Sequence, residues 1–540
     1  MIKGETISEA FFEAADHHAS SVALLSKKNG TYLPMVFEEL ASRVKNAAAA
    51  LQALGVNQGD VVALLSENRP EWVVADLAIM TVGAVVVPLH LTLAPRAMRN
   101  ILEHCQAKVL LVSNTELSDK ASWDSKSVFL LDELLHNPSG KPFEKVQLGA
   151  QDICTIIYTS GTTGQPKGVP LTHENILSNV REVTGLIPLK KGDVFLSFLP
   201  LSHVFERMAG YYIPLLTGAT IAYAENIKQL SHNLQEVKPT VLIAVPRIFE
   251  KFHDAIWDSV KKSGFKKKLL ALALRQRKGT LGYALAHRLV FGAIVKKFGG
   301  RLRLAVCGGA SLNPNLLKFF SKIGLTILEG YGLTETSPVI ATNTEPAIKF
   351  GTVGKPLPNV EVFLNKEKEI LVKGESVFKG YYKNQQATAA AFNDGWFLTG
   401  DLGFMDAEGF LTIIGRKKDM FVLSGGKNIW PEPIENILNN DKFISQSMVV
   451  GNNQKFVAAL IVPDWQEVES QGIPKNTLAE FLQQRIYEKI NPQLSDVEQV
   501  KKIVVLPKPF LQENEELTPT LKLRRHIIAH RYEREIVKMY

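Results

Sequence analysis

Residues 158–168 read YTSGTTGQPKG and combine the residue types that bind phosphate. The stretch contains four small hydroxyl residues, three glycines and one lysine, Lys167. Glycine lets backbone N–H groups come close to phosphate oxygens, because it has no side chain to obstruct them. The hydroxyl groups add hydrogen-bond donors, and the lysine adds a mobile positive charge. The stretch is therefore suited to holding a polyphosphate.

The spacing within this stretch excludes the two commonest nucleotide-binding patterns. A Walker A loop has Gly-Lys-Ser/Thr five residues after its first glycine, but the fifth residue after Gly161 is Pro166. The G-x-G-x-x-G fingerprint of dinucleotide-binding folds does not occur here either. Composition alone leaves an ordinary Gly/Ser/Thr loop as an alternative, whereas the full ordered string is much more specific.

Six further strings follow in the chain and could contribute to the same chemistry. They are LPLSHVFE, GGAS, YGLTET, TGDLG, GRKKD and TPTLKLRR, which begin at Leu199, Gly308, Tyr331, Thr399, Gly415 and Thr518. With the glycine-rich stretch, they resemble in content and order the motifs of the AMP-forming adenylating superfamily. That superfamily includes acyl-CoA synthetases, firefly luciferases and nonribosomal-peptide adenylation domains. The resemblance covers residues from about 150 to 525.

The resemblance implies a two-step reaction that uses ATP, Mg²⁺ and coenzyme A. A carboxylate attacks the α-phosphate of ATP and releases pyrophosphate, and a thiol then attacks the acyl carbon and releases AMP. The first step brings an anion to a polyanion, so charge neutralisation and alignment are its main catalytic needs. LPLSHVFE and TPTLKLRR are most similar to the long-chain fatty acyl-CoA synthetase versions of these motifs. A long-chain fatty acid is therefore the predicted substrate.

The resemblance also assigns contacts to each part of ATP. The glycine-rich loop would hold the β- and γ-phosphates through Thr159, Ser160, Gly161, Thr162, Thr163, Gly164 and Lys167. Glu335 would ligate Mg²⁺ together with Thr159, since a hard cation prefers oxygen ligands. Tyr331 would stack on adenine, Thr334 would contact the α-phosphate, and Asp401 would accept hydrogen bonds from the ribose. The remaining nucleotide contacts would be Gly309, Ala310, Gly332 and Arg416.

Four more residues would serve catalysis, domain movement and substrate binding. Lys522 would reach the substrate carboxylate and the α-phosphate oxygens during adenylation, although Leu521 replaces the glycine that usually precedes it. Lys418 would be the hinge about which a small domain rotates between adenylating and thioester-forming poses. Gly425 would lie along the pantetheine tunnel, where a Cβ atom would obstruct coenzyme A. His203 would lie near the mouth of the acyl site.

Each of these residues also has a plain structural alternative. Lys167, Arg416 and Lys522 would then be ordinary surface cations, and Asp401 and Gly425 would be turn residues. Glu335 would be the start of a helix, and His203 would be a structural histidine. No further ligand accompanies His203 and Glu206 in the sequence, so a metal site is not predicted there.

The arrangement of apolar runs predicts an α/β fold in the first two thirds of the chain. DVVALLS precedes RPEWVVADLAIMTVGA and VVVPLH, and AKVLLVS, DICTIIYTS and PTVLIAVP are further apolar runs bounded by turn or charged residues. Such runs are typical of strands covered by helices. Beyond residue 350 the alternation becomes stricter and predicts short antiparallel strands.

The chain length of 540 residues predicts more than one domain. We predict a large N-terminal domain over residues 1–416, made of α/β subdomains and a β-rich part at about 350–416. A helical basic insertion is predicted at about 250–303, and a small mobile α+β lid domain at 417–540.

The positive charge of the chain is concentrated in one segment. Residues 261–303 contain 13 Lys and Arg and no Asp or Glu, which leaves 49 basic and 54 acidic residues elsewhere. Basic clusters alternate there with Leu, Ala, Phe and Val, as in basic amphipathic helices on anionic membranes. A solvated basic helical face is an equally good interpretation. No nucleic-acid motif accompanies the charge, so nucleic acid is not a predicted partner.

Cysteine usage and hydropathy favour a cytoplasmic protein, with peripheral attachment to the inner face of the membrane as an alternative. The three cysteines are far apart and lack metal-ligand spacing, which fits a reducing compartment. The first residues carry acids and histidines where a signal peptide needs an apolar core. The most apolar region, residues 73–91, is broken by Asp76, Gly83 and Pro88, so buried helix and strand are predicted there.

Other functions remain as alternatives or are excluded. A fatty acyl-AMP ligase that loads an acyl carrier protein is the nearest alternative, and a non-catalytic lipid- or membrane-binding relative is one from another class. A serine hydrolase is not supported, because Ser160 lacks the G-x-S-x-G frame. A zinc peptidase is not supported, because His173 and Glu174 lack the second histidine of H-E-x-x-H.

Overall fold

Helices and strands alternate along most of the chain. The computed structural model describes residues 2–136, 142–159, 166–187, 189–261, 263–276, 279–518 and 522–540. The α-helices are α1 (Ile7–His17), α2 (Phe37–Ala53), α3 (Pro70–Thr81), α4 (Pro95–Cys105), α5 (Thr115–Ala121), α6 (Leu131–His136), α7 (His173–Leu186), α8 (Ile213–Leu216), α9 (Leu230–Val237), α10 (Pro246–Lys261), α11 (Gly264–Arg275), α12 (Leu281–Ala286), α13 (Gly292–Lys297), α14 (Pro314–Ile323), α15 (Gln385–Ala391), α16 (Pro431–Asn439), α17 (Trp465–Ser470), α18 (Leu478–Arg485), α19 (Arg525–Arg531) and α20 (Glu533–Val537).

The strands are short, and most hold between three and seven residues. They are β1 (Val22–Lys28), β2 (Thr31–Val36), β3 (Val61–Leu65), β4 (Val85–Pro88), β5 (Val109–Val112), β6 (Val128–Leu130), β7 (Ile153–Thr159), β8 (Lys167–Thr172), β9 (Val194–Ser197), β10 (Thr220–Tyr223), β11 (Val241–Ala244), β12 (Leu304–Cys307), β13 (Thr326–Gly332), β14 (Val339–Thr342), β15 (Lys355–Pro356), β16 (Val360–Leu364), β17 (Glu369–Gly374), β18 (Phe392–Asn393), β19 (Trp396–Met405), β20 (Leu411–Arg416), β21 (Phe421–Val422), β22 (Asn428–Ile429), β23 (Ile444–Val450), β24 (Val457–Pro463) and β25 (Val500–Val505).

Two mixed sheets form the framework of the N-terminal part. Nine strands pair in the order β15-β14-β13-β12-β11-β9-β10-β1-β2, and six pair in the order β6-β5-β3-β4-β7-β8. Strands in the middle of each sheet pair in parallel, whereas β2, β8, β14 and β15 join by antiparallel pairing. Parallel neighbours require crossover connections, which here contain helices. The predicted α/β fold is confirmed.

Burial explains why the apolar runs form these elements. All five residues of β3 are buried, and β4 and β5 flank it in parallel, as is typical of a central strand covered on both faces. Every residue of α3 is buried as well, so this helix has no polar face. The sequence predicts buried helix and strand over residues 73–91, and α3 and β4 confirm it. Among the described residues, no helix is long and apolar enough to cross a membrane.

The chain divides into two compact units. The larger unit comprises Met1–Val362, Val372–Phe397 and Asp406–Leu411, and the smaller unit comprises Phe363–Leu371, Leu398–Met405 and Thr412–Tyr540. In the smaller unit, β23, β24 and β25 form a sheet on which helices including α16 and α18 pack through apolar side chains. The domain boundary between residues 416 and 417 remains a prediction. The division into units differs from it, because the smaller unit also contains residues 363–371, 398–405 and 412–416.

The basic segment is helical in the residues that the structure describes. It contains α11, α12 and α13, and a π-helical turn, His287–Phe291, joins the last two. These helices bury Leu270, Ala273 and Phe291 in a core shared with α10 and α14. The basic segment therefore packs on the rest of the larger unit through buried apolar side chains.

Candidate active site

The glycine-rich loop connects two antiparallel strands of the larger unit. Thr159 at the end of β7 pairs with Lys167 at the start of β8, and its Oγ1 donates a 3.5 Å hydrogen bond to the Lys167 carbonyl. Five predicted phosphate contacts lie outside the described residues: Ser160, Gly161, Thr162, Thr163 and Gly164. Helix α7 begins only after β8, with Thr172 as its N-cap and Asn175 completing a capping box. Residues 160–166 thus connect two paired strands, and strand β8 separates them from the helix N-terminus.

Tyr381 links the end of this loop to the YGLTET string. Its hydroxyl donates a 2.9 Å hydrogen bond to Oε1 of Glu335, and the Lys167 ammonium lies 4.7 Å from its ring centroid. Backbone bonds reinforce the link, since Tyr382 N–H donates to the Gly168 carbonyl and Phe378 N–H to the Glu335 carbonyl, both at 2.9 Å. Lys167, the predicted cation at the phosphates, and Glu335, the predicted Mg²⁺ ligand, therefore contact the same tyrosine side chain.

Sequence reasoning missed Tyr381. The residue belongs to the string FKGYYKN, in which paired tyrosines follow a glycine. That signal indicates no chemistry by itself, because its partners lie far away in sequence. Only the folded chain shows that one of the two tyrosines contacts Glu335.

The YGLTET string leaves β13 and turns sharply. A Cβ atom on Gly332 would lie 1.8 Å from the Pro338 carbonyl oxygen, so only glycine fits there. A 3-10 turn, Thr334–Thr336, follows, and the Leu333 N–H donates to Thr336 Oγ1 at 3.0 Å. Thr336 is buried and closes the turn, whereas Tyr331, Thr334 and Glu335 are only half-buried. The turn thus keeps the three predicted contacts accessible.

Glu329 joins this turn to the GGAS string. It lies on β13 two residues before Tyr331, and its Oε1 accepts a 3.1 Å hydrogen bond from the Leu312 N–H. Its other carboxylate oxygen is buried without a hydrogen-bond partner. Burial raises the pKa of Glu329 to about 7. Gly309 and Ala310 are exposed and lie in the same loop as Leu312.

Hydrogen bonds from polar side chains fix the loop that carries His203. The Asn68 amide donates 2.6 Å and 3.1 Å hydrogen bonds to the Leu199 carbonyl and to Ser197 Oγ, and its oxygen accepts one from the Leu201 N–H. Ser197 Oγ in turn donates to Glu206 at 2.6 Å. His203 is half-buried, and its Nδ1 accepts from the Phe205 N–H at 3.3 Å. The Phe205 ring packs on Gly308, where a Cβ atom would come within 2.9 Å.

Glu206 is a buried carboxyl group with few donors. It is 1% exposed, Ser197 serves Oε1, and Oε2 has no hydrogen-bond partner. Burial raises the pKa of Glu206 to about 8, and the bond from Ser197 opposes that rise only in part. The group is therefore mainly neutral at neutral pH.

A buried ionic cluster fixes the π-helical turn, Glu206–Tyr212, that follows His203. Arg207 forms an ion pair with Asp76 of α3 and donates a 2.7 Å hydrogen bond to Thr155 of β7. The hydroxyls of Tyr211 and Tyr212 each donate to Asp76 at 3.1 Å. The buried carboxylate of Asp76 is tolerated in the interior because these three side chains surround it with hydrogen-bond donors and a positive charge. The cluster ties this turn to both the covering helix and the sheet.

The smaller unit brings together three predicted nucleotide contacts. Arg416 Nε lies 3.1 Å from Oδ1 of Asp401, which is 4% exposed. Lys522 lies within electrostatic range of both, and its pKa is lowered by desolvation and by the positive charge of Arg416, while Glu432 opposes the shift. Lys522 is itself exposed, so we expect solvent to screen these effects. The preceding Leu521 lies outside the described residues.

Local hydrogen bonds shape the chain around Lys522. Its N–H donates to Thr518 Oγ1 at 3.0 Å, and its carbonyl accepts from the Thr518 N–H at 2.8 Å. Leu517 and Leu523 form a β-bridge just outside this pair. Lys522 is thus presented at the end of a small hairpin.

The predicted hinge and tunnel residues are exposed. Lys418 lies in a 3-10 turn, Lys417–Asp419, and the neighbouring Lys417 pairs with Glu367 and Glu369 at 2.6 Å and 3.0 Å. A Cβ atom on Gly425 would meet no atom within 4 Å. Packing of the described residues therefore does not require glycine at this position.

Comparison with known proteins identifies the family of the chain. The model for AMP-binding enzymes matches residues 11–382, and the model for the AMP-binding enzyme C-terminal domain matches residues 418–540. The chain belongs to the AMP-binding enzyme family of AMP-forming ligases. The particular relatives to which it is similar include a long-chain-fatty-acid–CoA ligase of Mycobacterium bovis, 35% identical, with 95% of this chain and 93% of that protein covered.

Two further matches are to proteins whose names indicate other activities. A chloroplastic long-chain-fatty-acid–[acyl-carrier-protein] ligase of Arabidopsis thaliana is 28% identical, with 99% of this chain and 87% of that protein covered. The adenylation domain of a carboxylate reductase from Mycobacterium chelonae has a TM-score of 0.81 at 21% identity, with 99% and 91% of the two chains covered. The latter likeness shows that the chain has the fold of adenylate-forming enzymes.

Proposed function

We propose that the protein activates a long-chain fatty acid with ATP and transfers the acyl group to coenzyme A. The observation that carries the proposal is the contact of Tyr381 with both Glu335 and Lys167, since it joins the glycine-rich loop to the carboxylate of YGLTET. The similarity to a long-chain-fatty-acid–CoA ligase supports the choice of substrate.

In this proposal, the larger unit binds the phosphates and the cation. The hydrogen bond from Tyr381 engages Oε1 of Glu335, and the second carboxylate oxygen is the candidate Mg²⁺ ligand, with Thr159 as a further oxygen donor. Mg²⁺ would neutralise phosphate charge. Lys167 adds positive charge at the phosphates, and the hydroxyl of half-buried Thr334 donates a hydrogen bond to an α-phosphate oxygen. Tyr331 stacks on adenine beside the exposed backbone of Gly309, Ala310 and Gly332.

The smaller unit supplies the remaining functional groups. Asp401 binds the ribose hydroxyls with Arg416 beside it, and the Lys522 ammonium stabilises negative charge on the reacting carboxylate and α-phosphate oxygens. Lys418 is the proposed hinge, and the open space around Gly425 suits the passage of pantetheine. His203 is the proposed residue at the mouth of the acyl site.

A substrate panel tests the proposal directly. AMP formation is measured with ATP, Mg²⁺ and coenzyme A, and palmitate, octanoate, benzoate and acetate are compared as acids. We expect palmitate to give the highest kcat/KM, because each buried CH₂ group contributes about 0.8 kcal/mol. A preference for acetate or benzoate would refute the long-chain assignment.

The acyl acceptor is the second point to test. The similarity to a long-chain-fatty-acid–[acyl-carrier-protein] ligase makes carrier-protein loading the specific alternative. Thioester formation is compared with free coenzyme A and with holo acyl carrier protein, and we expect coenzyme A to be preferred. Failure to release pyrophosphate with any fatty acid would instead favour a non-catalytic lipid-binding protein.

We also propose a cytoplasmic protein that associates with an anionic membrane surface through residues 261–303. The 13 basic residues of this segment, without any acidic residue, support electrostatic attraction to anionic lipids. Fatty acids partition into membranes, so such contact would bring the enzyme to its substrate.

A further inference from the structure

The basic segment exposes an unusual concentration of large apolar side chains. Among the described residues, sixteen large apolar side chains are exposed, and six of them fall between residues 265 and 289. Leu281 is 91% exposed and Phe265 is 76% exposed. We call these six side chains the apolar ridge: Phe265, Leu269, Leu272, Leu281, Leu285 and Leu289.

Helical spacing places the ridge on coherent faces. Phe265, Leu269 and Leu272 follow one another at i, i+4 and i+7 on α11, so they share one side of that helix. Leu281 and Leu285 have the i, i+4 spacing on α12, and Leu289 follows in the π-helical turn. Each helix therefore presents a continuous stripe of apolar side chains to solvent.

The ridge is distinct from the face that attaches these helices to the protein. Leu270 and Ala273 of α11, Ala286 of α12 and Phe291 are buried in the core of the larger unit. On α11 the buried positions are about a third of a helical turn away from the exposed ones, at 100° per residue. The helices thus carry apolar side chains on two sides, and the rest of the larger unit covers only one of them.

Basic side chains flank the ridge and define what can cover it. Lys266, Lys267, Lys268, Arg275 and Arg288 are all exposed. A second copy of this segment would bring like charges together, and no acidic residue of residues 261–303 would compensate them. Apolar side chains beside lysines instead match the boundary between acyl chains and anionic headgroups.

We propose that α11 and α12 insert the apolar ridge into the headgroup–acyl boundary of an anionic bilayer, with the flanking lysines and arginines contacting the headgroups. This inference deepens the proposed membrane association and depends on the proposed function only for its benefit to substrate capture. It predicts two separable contributions to binding. The lysines make binding sensitive to salt, and the ridge retains part of the binding at high salt.

Flotation of the full chain with vesicles tests the ridge. Vesicles of phosphatidylcholine, with or without phosphatidylglycerol, are compared for the native protein and for the triple variant Leu272→Gln, Leu281→Gln, Leu285→Gln. We expect the variant to bind mixed vesicles about tenfold more weakly or worse, since interfacial binding scales with the apolar area inserted. The matched control is Ile227→Gln, Tyr487→Gln, Val537→Gln, which removes similarly exposed side chains elsewhere and should bind as the native protein does.

A second measurement separates the ridge from charge. The variant Lys266→Gln, Lys267→Gln, Lys268→Gln should lose binding at low salt but keep the residual binding that the native protein shows at high salt. The ridge variant should bind more weakly than the native protein at low salt, with that binding still sensitive to salt, and should lose the residual binding at high salt. Unchanged flotation of the ridge variant, or a shift from dimer to monomer caused by it in sedimentation, would overturn the inference. Thermal unfolding curves establish that each variant is folded.

Activity assays distinguish failure of the inference from failure of the proposed function. The ridge variant should activate detergent-dispersed palmitate at the native rate and palmitate delivered in anionic vesicles more slowly. If the native protein activates no fatty acid, the proposed function fails, while flotation still decides whether the ridge inserts. If both palmitate assays are equally unaffected in the variant, insertion has no role in substrate capture and that part of the inference is wrong.

Discussion

Arg416 Nε lies 3.1 Å from Oδ1 of Asp401, so two residues predicted separately as nucleotide contacts form an ion pair with each other. Asp401 is buried, and Arg416 is about one-third exposed at its side chain. The arginine therefore compensates the charge of a carboxylate that would otherwise be costly to bury. It also holds that carboxylate in one position, ready to accept hydrogen bonds.

Asp401→Asn should weaken ATP binding and lower stability together. The amide keeps the shape of the side chain but removes the negative charge beside Arg416 and the charged acceptors for the ribose. Since hydrogen bonds to charged groups contribute about 1.5–3 kcal/mol, we expect about a tenfold to hundredfold rise in the Kd for an ATP analogue. Calorimetric titration and thermal unfolding measure the two effects.

The control for this change is Asp406→Asn. Asp406 pairs with Lys349 at 2.7 Å in a partly exposed ion pair, so loss of its charge should change neither ATP affinity nor stability appreciably. A double-mutant cycle with Arg416→Ala should give a coupling of at least about 1 kcal/mol. Strict additivity would show that the two side chains act independently.

Tyr381→Phe should raise the Mg²⁺ requirement of the first half-reaction. The change removes the hydroxyl that donates to Glu335 but keeps the ring beside Lys167. Without that bond the carboxylate is less well oriented, and we expect half-maximal pyrophosphate release at about tenfold higher Mg²⁺. The matched control is Tyr382→Phe, which removes the adjacent hydroxyl; an equal effect in both variants would contradict a specific role for Tyr381.

Much of the framework could be predicted from sequence because local pattern and environment agree. The apolar runs at β3 and β5 and the helix α3 are recognisable since buried parallel strands and their covering helix need no polar face. Strand β8 was missed, because KGVPLT contains glycine and proline and has a weak strand pattern. Hydrogen-bonded pairing with β7 stabilises β8 as a strand despite this weak local pattern.

Contacts between distant segments could not be predicted in the same way. Tyr381 contacts Glu335 across 46 residues, and Asn68 reaches Leu199 across 131, so no spacing rule connects them. The basic helices were predicted as amphipathic, but the pattern does not reveal that one apolar face stays outside the core. That distinction depends on α10 and α14, which cover only the other face.

Lys522→Ala should separate the two half-reactions. Loss of the ammonium removes positive charge from the adenylation step, and we expect acyl-AMP formation to fall about a hundredfold or more. Thioester formation from supplied acyl-AMP should be largely retained. The control is Lys501→Ala on β25, an exposed lysine whose loss should affect neither step; equal loss of both half-reactions in Lys522→Ala would exclude the proposed role.

The alkaline limb of adenylation should depend on the same lysine. Desolvation and Arg416 lower the pKa of Lys522, so its cationic form is lost at a lower pH than that of an ordinary lysine. We therefore expect adenylation by the native protein to decline as pH rises through that lowered pKa. Lys522→Arg, which remains charged, should lack this decline even if its overall rate is lower.

Glu206→Gln should become relatively more stabilising as pH rises. The pKa of Glu206 is about 8 in the fold and near 4.5 when the chain is unfolded. Between these values the unfolded chain releases a proton that the folded protein keeps, so the contribution of Glu206 to stability falls as pH increases and levels off above pH 8. Glutamine is neutral throughout and avoids this loss, while its amide oxygen can still accept from Ser197.

Urea unfolding at several pH values measures this difference. We expect the free energy of unfolding of Glu206→Gln, relative to the native protein, to rise by on the order of a few kcal/mol between pH 5 and pH 8. Glu408→Gln is the control, because Glu408 is exposed and its loss should give a difference nearly independent of pH. A flat difference for Glu206→Gln would mean that the buried carboxyl is already ionised at neutral pH. The hydrogen bond that Ser197 donates to Glu206 would then have to stabilise a buried negative charge, and the bond from Asn68 to Ser197 Oγ would support it only indirectly.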